Sequence, residues 1–165
     1  LLGTDIVDAV GINKKVADQL SGADFDGDTV MCIPTHDSKG RVKISHKDTL
    51  EGLIGFDPKT EYGPESYKGR SIKLMKNTGT EMGVISNLIT DMTLGGATEK
   101  ELAAAVRHSM VVIDAEKHGL DYKRSEKDNN IAALKKKYQI KEDGKAGGAS
   151  TILSRAKGQT SVDKR

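Results

Sequence analysis

The chain reads as an α+β fold, because strand-like alternation is confined to its first quarter, an acidic loop feeds one of those strands, and helical periodicity governs the sequence from about residue 78. The strand candidates come first. Asp5 to Val10 is apolar in alternation, Thr29 to Ile33 is rich in β-branched and apolar residues, and Arg41 to Ile44 alternates again. Pro34 closes the second of these, and Asp37-Ser38-Lys39-Gly40 supplies a turn, so a hairpin is expected there. Ile12 to Leu20 fits a short helix or an irregular strand equally well.

Asp48 to Ile54 has the look of one or two helical turns, and Asp57 to Arg70, with Pro58, Gly63, Pro64 and Gly69, reads as a loop. From Thr80 to Met92, the residues Met82, Ile85, Leu88, Ile89 and Met92 form a stripe at helical spacing, with Thr80 as the expected cap and Gly95-Gly96 as the stop. Thr98 and Glu101 make a capping box that opens a second helix, carrying Leu102, Val106, Ser109, Met110 and Ile113 on one face until Gly119. A third helix is expected from a Ser125 cap to Tyr138. The resulting division is a strand-rich part at 1–47, a linker loop at 48–77, a helical segment at 78–140 and a flexible basic tail at 141–165.

Charge is distributed unevenly. The net charge of +2 resolves into about +6 over residues 115–165 and −4 over residues 1–114. Such a split suits an acidic centre beside a surface that meets polyanions. No stretch of about 18 apolar residues marks a membrane span. The single Cys32 excludes an internal disulfide framework and fits a reducing, cytoplasmic setting. Leu1 opens the chain in mid-pattern, so it is expected to be a piece of a longer protein.

The informative segment is Gly22-Ala23-Asp24-Phe25-Asp26-Gly27-Asp28-Thr29-Val30. Three carboxylates at alternate positions repel one another and call for a cation. Hard oxygen donors suit magnesium, which keeps sites for water or substrate phosphate. Gly27 allows a sharp turn between Asp26 and Asp28, and Phe25 is expected to anchor the loop in the core. Three other readings compete: an acidic surface turn, an EF-hand loop and a haloacid-dehalogenase-type phosphatase. The EF-hand would place Thr29 where glycine is needed and Thr35 where glutamate is needed. The phosphatase signature fits Asp26-Gly27-Asp28-Thr29-Val30, but Ser21 to Asp24 is not the apolar strand that should precede it.

The string Ala23-Asp24-Phe25-Asp26-Gly27-Asp28 resembles the signature of two-barrel RNA polymerases, and is closest to the single-chain phage or prophage, bacterial and RNA-silencing branches. Met110 to Gly119 is similar to the Val-Asp-x-x-Lys-x-Gly stretch that follows the catalytic loop in those enzymes. The resemblance implies a partial double-psi β-barrel bearing the loop, followed by a helical segment. It also implies a magnesium-dependent nucleotidyltransferase for template-directed RNA synthesis, with manganese able to substitute. Asp24, Asp26 and Asp28 would be both catalytic residues and metal ligands. The implied partners are a nucleic-acid template, nascent RNA, nucleoside triphosphates and the rest of a polymerase carrying the second barrel, without which this chain is expected to be inactive. Gly22 stands where cellular subunits have asparagine, so ribose selection is not carried over.

Nucleic-acid contacts are expected from Lys117, Lys123, Arg124 and Arg155. A non-catalytic nucleic-acid-binding module with a relic acidic loop is the alternative function. The remaining features read as structural. His36, His46, His108 and His118 form no hydrolytic constellation, and His108 is expected to be a half-exposed packing residue. Asp114 and Lys117, one turn apart, are spaced for a surface pair. Lys135-Lys136-Lys137 reads as a solvated face, and Gly147-Gly148-Ala149-Ser150-Thr151 fits no P-loop.

Overall fold

A computed structural model describes residues 10–17, 33–45, 48–141, 143–144 and 147–148. It divides the chain into two units, 1–47 and 48–165. Of the described residues 58% are helical, and none lies in a β-strand of a sheet. The expected α+β architecture with a partial double-psi β-barrel is therefore corrected to a mostly helical fold.

In the first unit, helix α1 spans Lys14–Ala17, and His36 and Val42 form an isolated antiparallel bridge. The expected turn is present between them. Asp37 Oδ1 accepts hydrogen bonds from the backbone of Lys39 and Arg41, each at 2.9 Å, and its Oδ2 pairs with Arg41 Nε at 2.8 Å. These bonds hold the Asp37 carboxyl below the usual carboxylate range. Among the described residues the turn carries one bridge and no longer ladder, and its apolar neighbours are not packed: Ile33, Val42 and Ile44 are all about half or more exposed. A two-stranded hairpin without a packed face is marginal in water. The first strand candidate, at Asp5–Val10, falls almost wholly outside the described residues, as does Thr29–Ile33.

The second unit is built on helices. After a 3₁₀ turn at Glu51–Leu53 come α2, Pro58–Tyr62, and a second 3₁₀ turn, Pro64–Tyr67. The segment expected as a loop is thus largely helical. Each proline sits at the start of a helical turn, where its missing N–H costs nothing, and Asp57 caps α2 by accepting from Lys59 N.

Helices α3, Thr78–Leu94, and α4, Glu99–His118, are joined by Gly95-Gly96. The α3 stripe forms as expected, with Ile85, Leu88 and Met92 buried. Its cap is Asn77, not Thr80, and makes no side-chain bond. The Thr98 capping box is formed, and Gly119 ends α4 in the left-handed region at φ 61°. The buried face of α4 differs from the expected one: Ala103, Ala105, His108, Val111, Val112 and Ala115 are buried, while Ile113 is half exposed. Small residues win those positions because α4 is packed on several sides at once. A Cβ on Gly52 would stand 2.9 Å from that of Ala103, which shows how close the 51–53 turn comes.

The single third helix is also corrected. It is two, α5, Tyr122–Asp128, and α6, Ile131–Gln139, separated at Asn129-Asn130. Asn130 adopts φ 52°, a conformation that asparagine tolerates better than most residues. Asp121 caps α5 through Arg124 N, so Ser125 is left in the helix interior, fully buried. Two apolar clusters result. Phe56, Tyr62 and Met75 pack on Val111, Val112 and Leu120; Ile85, Leu88 and Met92 pack on Ala105, Ile131 and Leu134. Burial of each large side chain contributes about 1.5–3 kcal/mol.

Past α6 the chain returns to α3. Asp91 is buried and accepts from Gln139 Nε2 at 2.8 Å. Gly147 N donates to Gln139 O at 2.7 Å, and a Cβ added to Gly148, at φ +84°, would lie 2.6 Å from the Asp91 carboxylate. The close approach permitted by the glycine pair is thus to a carboxylate of the same chain. Gly144→Ala, at φ +76° in open space, is expected to cost about 1 kcal/mol from backbone strain alone. Gly148→Ala adds a clash and is expected to cost at least about 1 kcal/mol more. Urea denaturation of the two variants checks the difference.

Candidate functional site

The aspartates Asp24, Asp26 and Asp28, and with them Arg155, lie outside the described residues. Among the described residues no group of three or more His, Cys, Asp or Glu side chains is placed to hold a metal ion. No described helix is long and apolar enough to cross a membrane. What the structure does place is three of the four cations expected to meet nucleic acid. Lys117 is exposed in the last turn of α4, and Lys123 and Arg124 lie in the first turn of α5.

Arg124 is committed to the fold. Its guanidinium donates to the Glu61 carbonyl and to Ser66 Oγ at 3.3 Å, pairs with Asp128 at 3.4 Å, and lies 4.7 Å from the centroid of the Tyr62 ring. Tyr62 in turn donates to Asp128 at 3.3 Å. Burial raises the Tyr62 pKa, and the charges of Asp128 and Glu61 add to the effect. A parallel arrangement holds Arg107, which pairs with Glu61 at 2.9 Å and stacks 4.4 Å from the Phe56 centroid. Phe56 and Tyr62 themselves meet edge to face, with centroids 6.4 Å apart. Two arginines and two rings therefore lock the 56–67 segment onto α4 and α5.

Lys123 pairs with Glu126 at 2.7 Å, and that hydrogen bond raises its pKa. Three cations without an ion pair among the described residues, Arg70, Lys73 and Lys127, line a groove with it. Arg70, Ser71, Ile72 and Lys73, from the segment before α3, line a groove of about 250 Å³ with Asp121, Lys123, Arg124 and Lys127. Asp121 is the one acid in the lining, and its carboxylate accepts from Arg124 N at 3.0 Å as the helix cap. Sequence reasoning reached Lys123 and Arg124 by composition alone; Arg70 and Lys73, about 50 residues earlier in the chain, carried no signal linking them to α5.

A larger hollow, of about 750 Å³, lies between the 51–53 turn and the start of α4, and its lining includes Glu51, Glu99, Lys100 and Arg107. Its charges are mixed. The Thr98 hydroxyl and Glu101 are used by the capping box, and Glu101 also accepts from Lys137 at 2.6 Å and from Tyr138 at 2.8 Å. Lys137, expected on a solvated face, is thus partly a structural residue. The Lys137 bond first, and the Tyr138 and Thr98 bonds after it, hold the Glu101 pKa down to about 2.

His108 is buried, not half exposed, and its Nδ1 lies 3.0 Å from Ser125 Oγ. Asn129 Nδ2 donates to Ser125 O at 2.9 Å and contacts its Oγ at 3.3 Å. With both His108 and Ser125 sealed from solvent, this is a polar tie between α4 and α5 and not a nucleophile with its base. No protein-family model, no curated protein and no solved structure matches this chain.

Two outcomes follow from this geometry. Arg124→Lys keeps the charge but loses the planar fork, and is expected to cost about 2 kcal/mol, whereas Lys123→Gln is expected to stay within about 0.5 kcal/mol; urea unfolding distinguishes them. For His108, burial lowers the pKa to about 4, with nearby Glu126 opposing that shift and Lys135 and Lys123 adding to it. The unfolded chain, with an ordinary histidine pKa of about 6.5, binds the proton first. Stability should therefore fall as pH drops from about 6.5 to about 4, by up to about 3 kcal/mol from this group. The same titration on His108→Gln should lose most of that slope.

Proposed function

We propose that the chain supplies the metal-binding aspartates of a template-directed RNA polymerase, with Asp24, Asp26 and Asp28 as ligands of a catalytic magnesium ion. The observation that carries this reading is the Ala23-Asp24-Phe25-Asp26-Gly27-Asp28 string. Its three carboxylates at alternate positions are hard donors of the kind magnesium takes. The reading rests on the chemistry of the loop and on its resemblance to the polymerase signature, not on a barrel. A further support is the Met110-to-Gly119 stretch: Lys117 is exposed two residues before the left-handed Gly119 that ends α4.

When bound, the metal supplies charge neutralisation and activation of an attacking hydroxyl during nucleotidyl transfer. The chain's own contribution is to fix three carboxylates in one short loop and to leave coordination positions for substrate. Proton and leaving-group handling asks little of protein side chains in this chemistry. That agrees with the role of His108, which is sealed in the core and not offered to substrate. The alternative, a nucleic-acid-binding module with a relic loop, predicts that replacing the aspartates changes nothing.

Water-proton relaxation during manganese titration of the chain tests the loop directly. One site is expected, lost in Asp26→Ala and in Asp28→Ala, with helicity unchanged. A variant that retains the site would overturn the assignment. Manganese is the probe because it is paramagnetic and accepts the same oxygen donors as magnesium.

A further inference from the structure

We infer that the groove between residues 70–73 and α5 binds the phosphodiester backbone of a single nucleic-acid strand. This inference goes beyond the metal loop and does not depend on it, since every residue involved belongs to the unit formed by 48–165.

Charge is the first ground. Arg70, Lys73, Lys123, Arg124 and Lys127 all line the groove, against Asp121 as the one acid. Two of these cations are neutralised by partners that do not line it, Lys123 by Glu126 and Arg124 by Asp128. Arg70, Lys73 and Lys127 are exposed and make no ion pair among the described residues. Among the described residues the Arg70 guanidinium donates only to the Ser66 carbonyl, at 3.2 Å. Like charges collected on one groove at no structural benefit are stabilised when a polyanion replaces their counterions.

The backbone is the second ground. Ser71, Ile72 and Lys73 donate no backbone hydrogen bond among the described residues, although the chain on either side is ordered by α2 and α3. Their amides and the Ser71 hydroxyl are donors available to phosphate oxygens beside the three free cations.

The groove favours a strand over an isolated phosphate. Of its two guanidinium forks, Arg124 is spent on Glu61, Ser66 and Asp128, and Arg70, exposed, is tied only to the Ser66 carbonyl, so neither is held by a carboxylate in the groove to grip a single anion bidentately. The available cations are long side chains contributed by residues 70–73 on one side and α5 on the other, a pattern that tracks a backbone electrostatically. No aromatic ring lines it, so base stacking is not part of its recognition and little sequence preference is expected.

Fluorescence anisotropy of a labelled 20-nucleotide oligouridylate, titrated with the full chain between 50 and 200 mM KCl, tests the proposal. The variant Arg70→Gln/Lys73→Gln/Lys127→Gln is expected to bind about tenfold more weakly at the low-salt end, with a log–log salt slope shallower by about 2. Lys100→Gln/Lys136→Gln/Lys141→Gln removes the same charge from positions of the same unit that do not line the groove and should change affinity less than about twofold. Circular dichroism confirms that both variants fold. Equal losses in the two triple variants would overturn the proposal, as would displacement of the strand by tripolyphosphate at matched phosphate concentration, which marks an isolated-phosphate site. Asp26→Ala is expected to keep strand binding while losing manganese, so failure of the groove and failure of the loop are separate results.

Discussion

Crowding around α4 is the constraint on which the second unit depends. The helix meets α3, α6, α2, α5 and the 51–53 turn, and an element approached from so many directions exposes residues only toward its two ends, with none exposed from 101 to 112. Alanines at 103, 105 and 115 let neighbours come close, valines at 111 and 112 fill the wider gaps, and His108 is tolerated because Ser125 satisfies it. Close packing of this kind has little tolerance for volume change in either direction.

Polar ties supplement that packing where apolar area runs short. Aromatic residues make up only 4% of the chain, so large rings are scarce. The unit uses Phe56 and Tyr62 twice over, once as core and once as platforms for Arg107 and Arg124. Each arginine thereby joins a carboxylate, a ring and, for Arg124, backbone oxygen. The same economy explains Asp91, a buried carboxylate that gathers α6 and the Gly147-Gly148 segment against α3.

How much of this was legible in the sequence depends on whether the controlling interactions were local. The α3 stripe, the Thr98 box and the Gly119 stop are set within a few residues and were readable. The short helices at Pro58 and Pro64 were missed because prolines that start helices resemble prolines that break them until the cap is known. The face of α4 was misjudged because periodicity assumes one covered side, and the α5–α6 break because Asn130 in a left-handed conformation leaves no periodic trace. The barrel expectation came from resemblance; the described residues hold a turn with exposed apolar neighbours in its place. For the site, Lys123 and Arg124 were found by charge counting, but that Arg124 is structural and that Arg70 and Lys73 join Lys127 are tertiary facts.

The placement of Tyr62 under Arg124 has a spectroscopic corollary. The chain has no tryptophan, and its four tyrosines, Tyr62, Tyr67, Tyr122 and Tyr138, all belong to the unit formed by 48–165. Intrinsic ultraviolet emission is therefore a label native to that unit alone, and is silent about the acidic loop. A single tryptophan introduced within residues 1–47 would give that part its own colour, so that the two units can be followed independently in one cuvette.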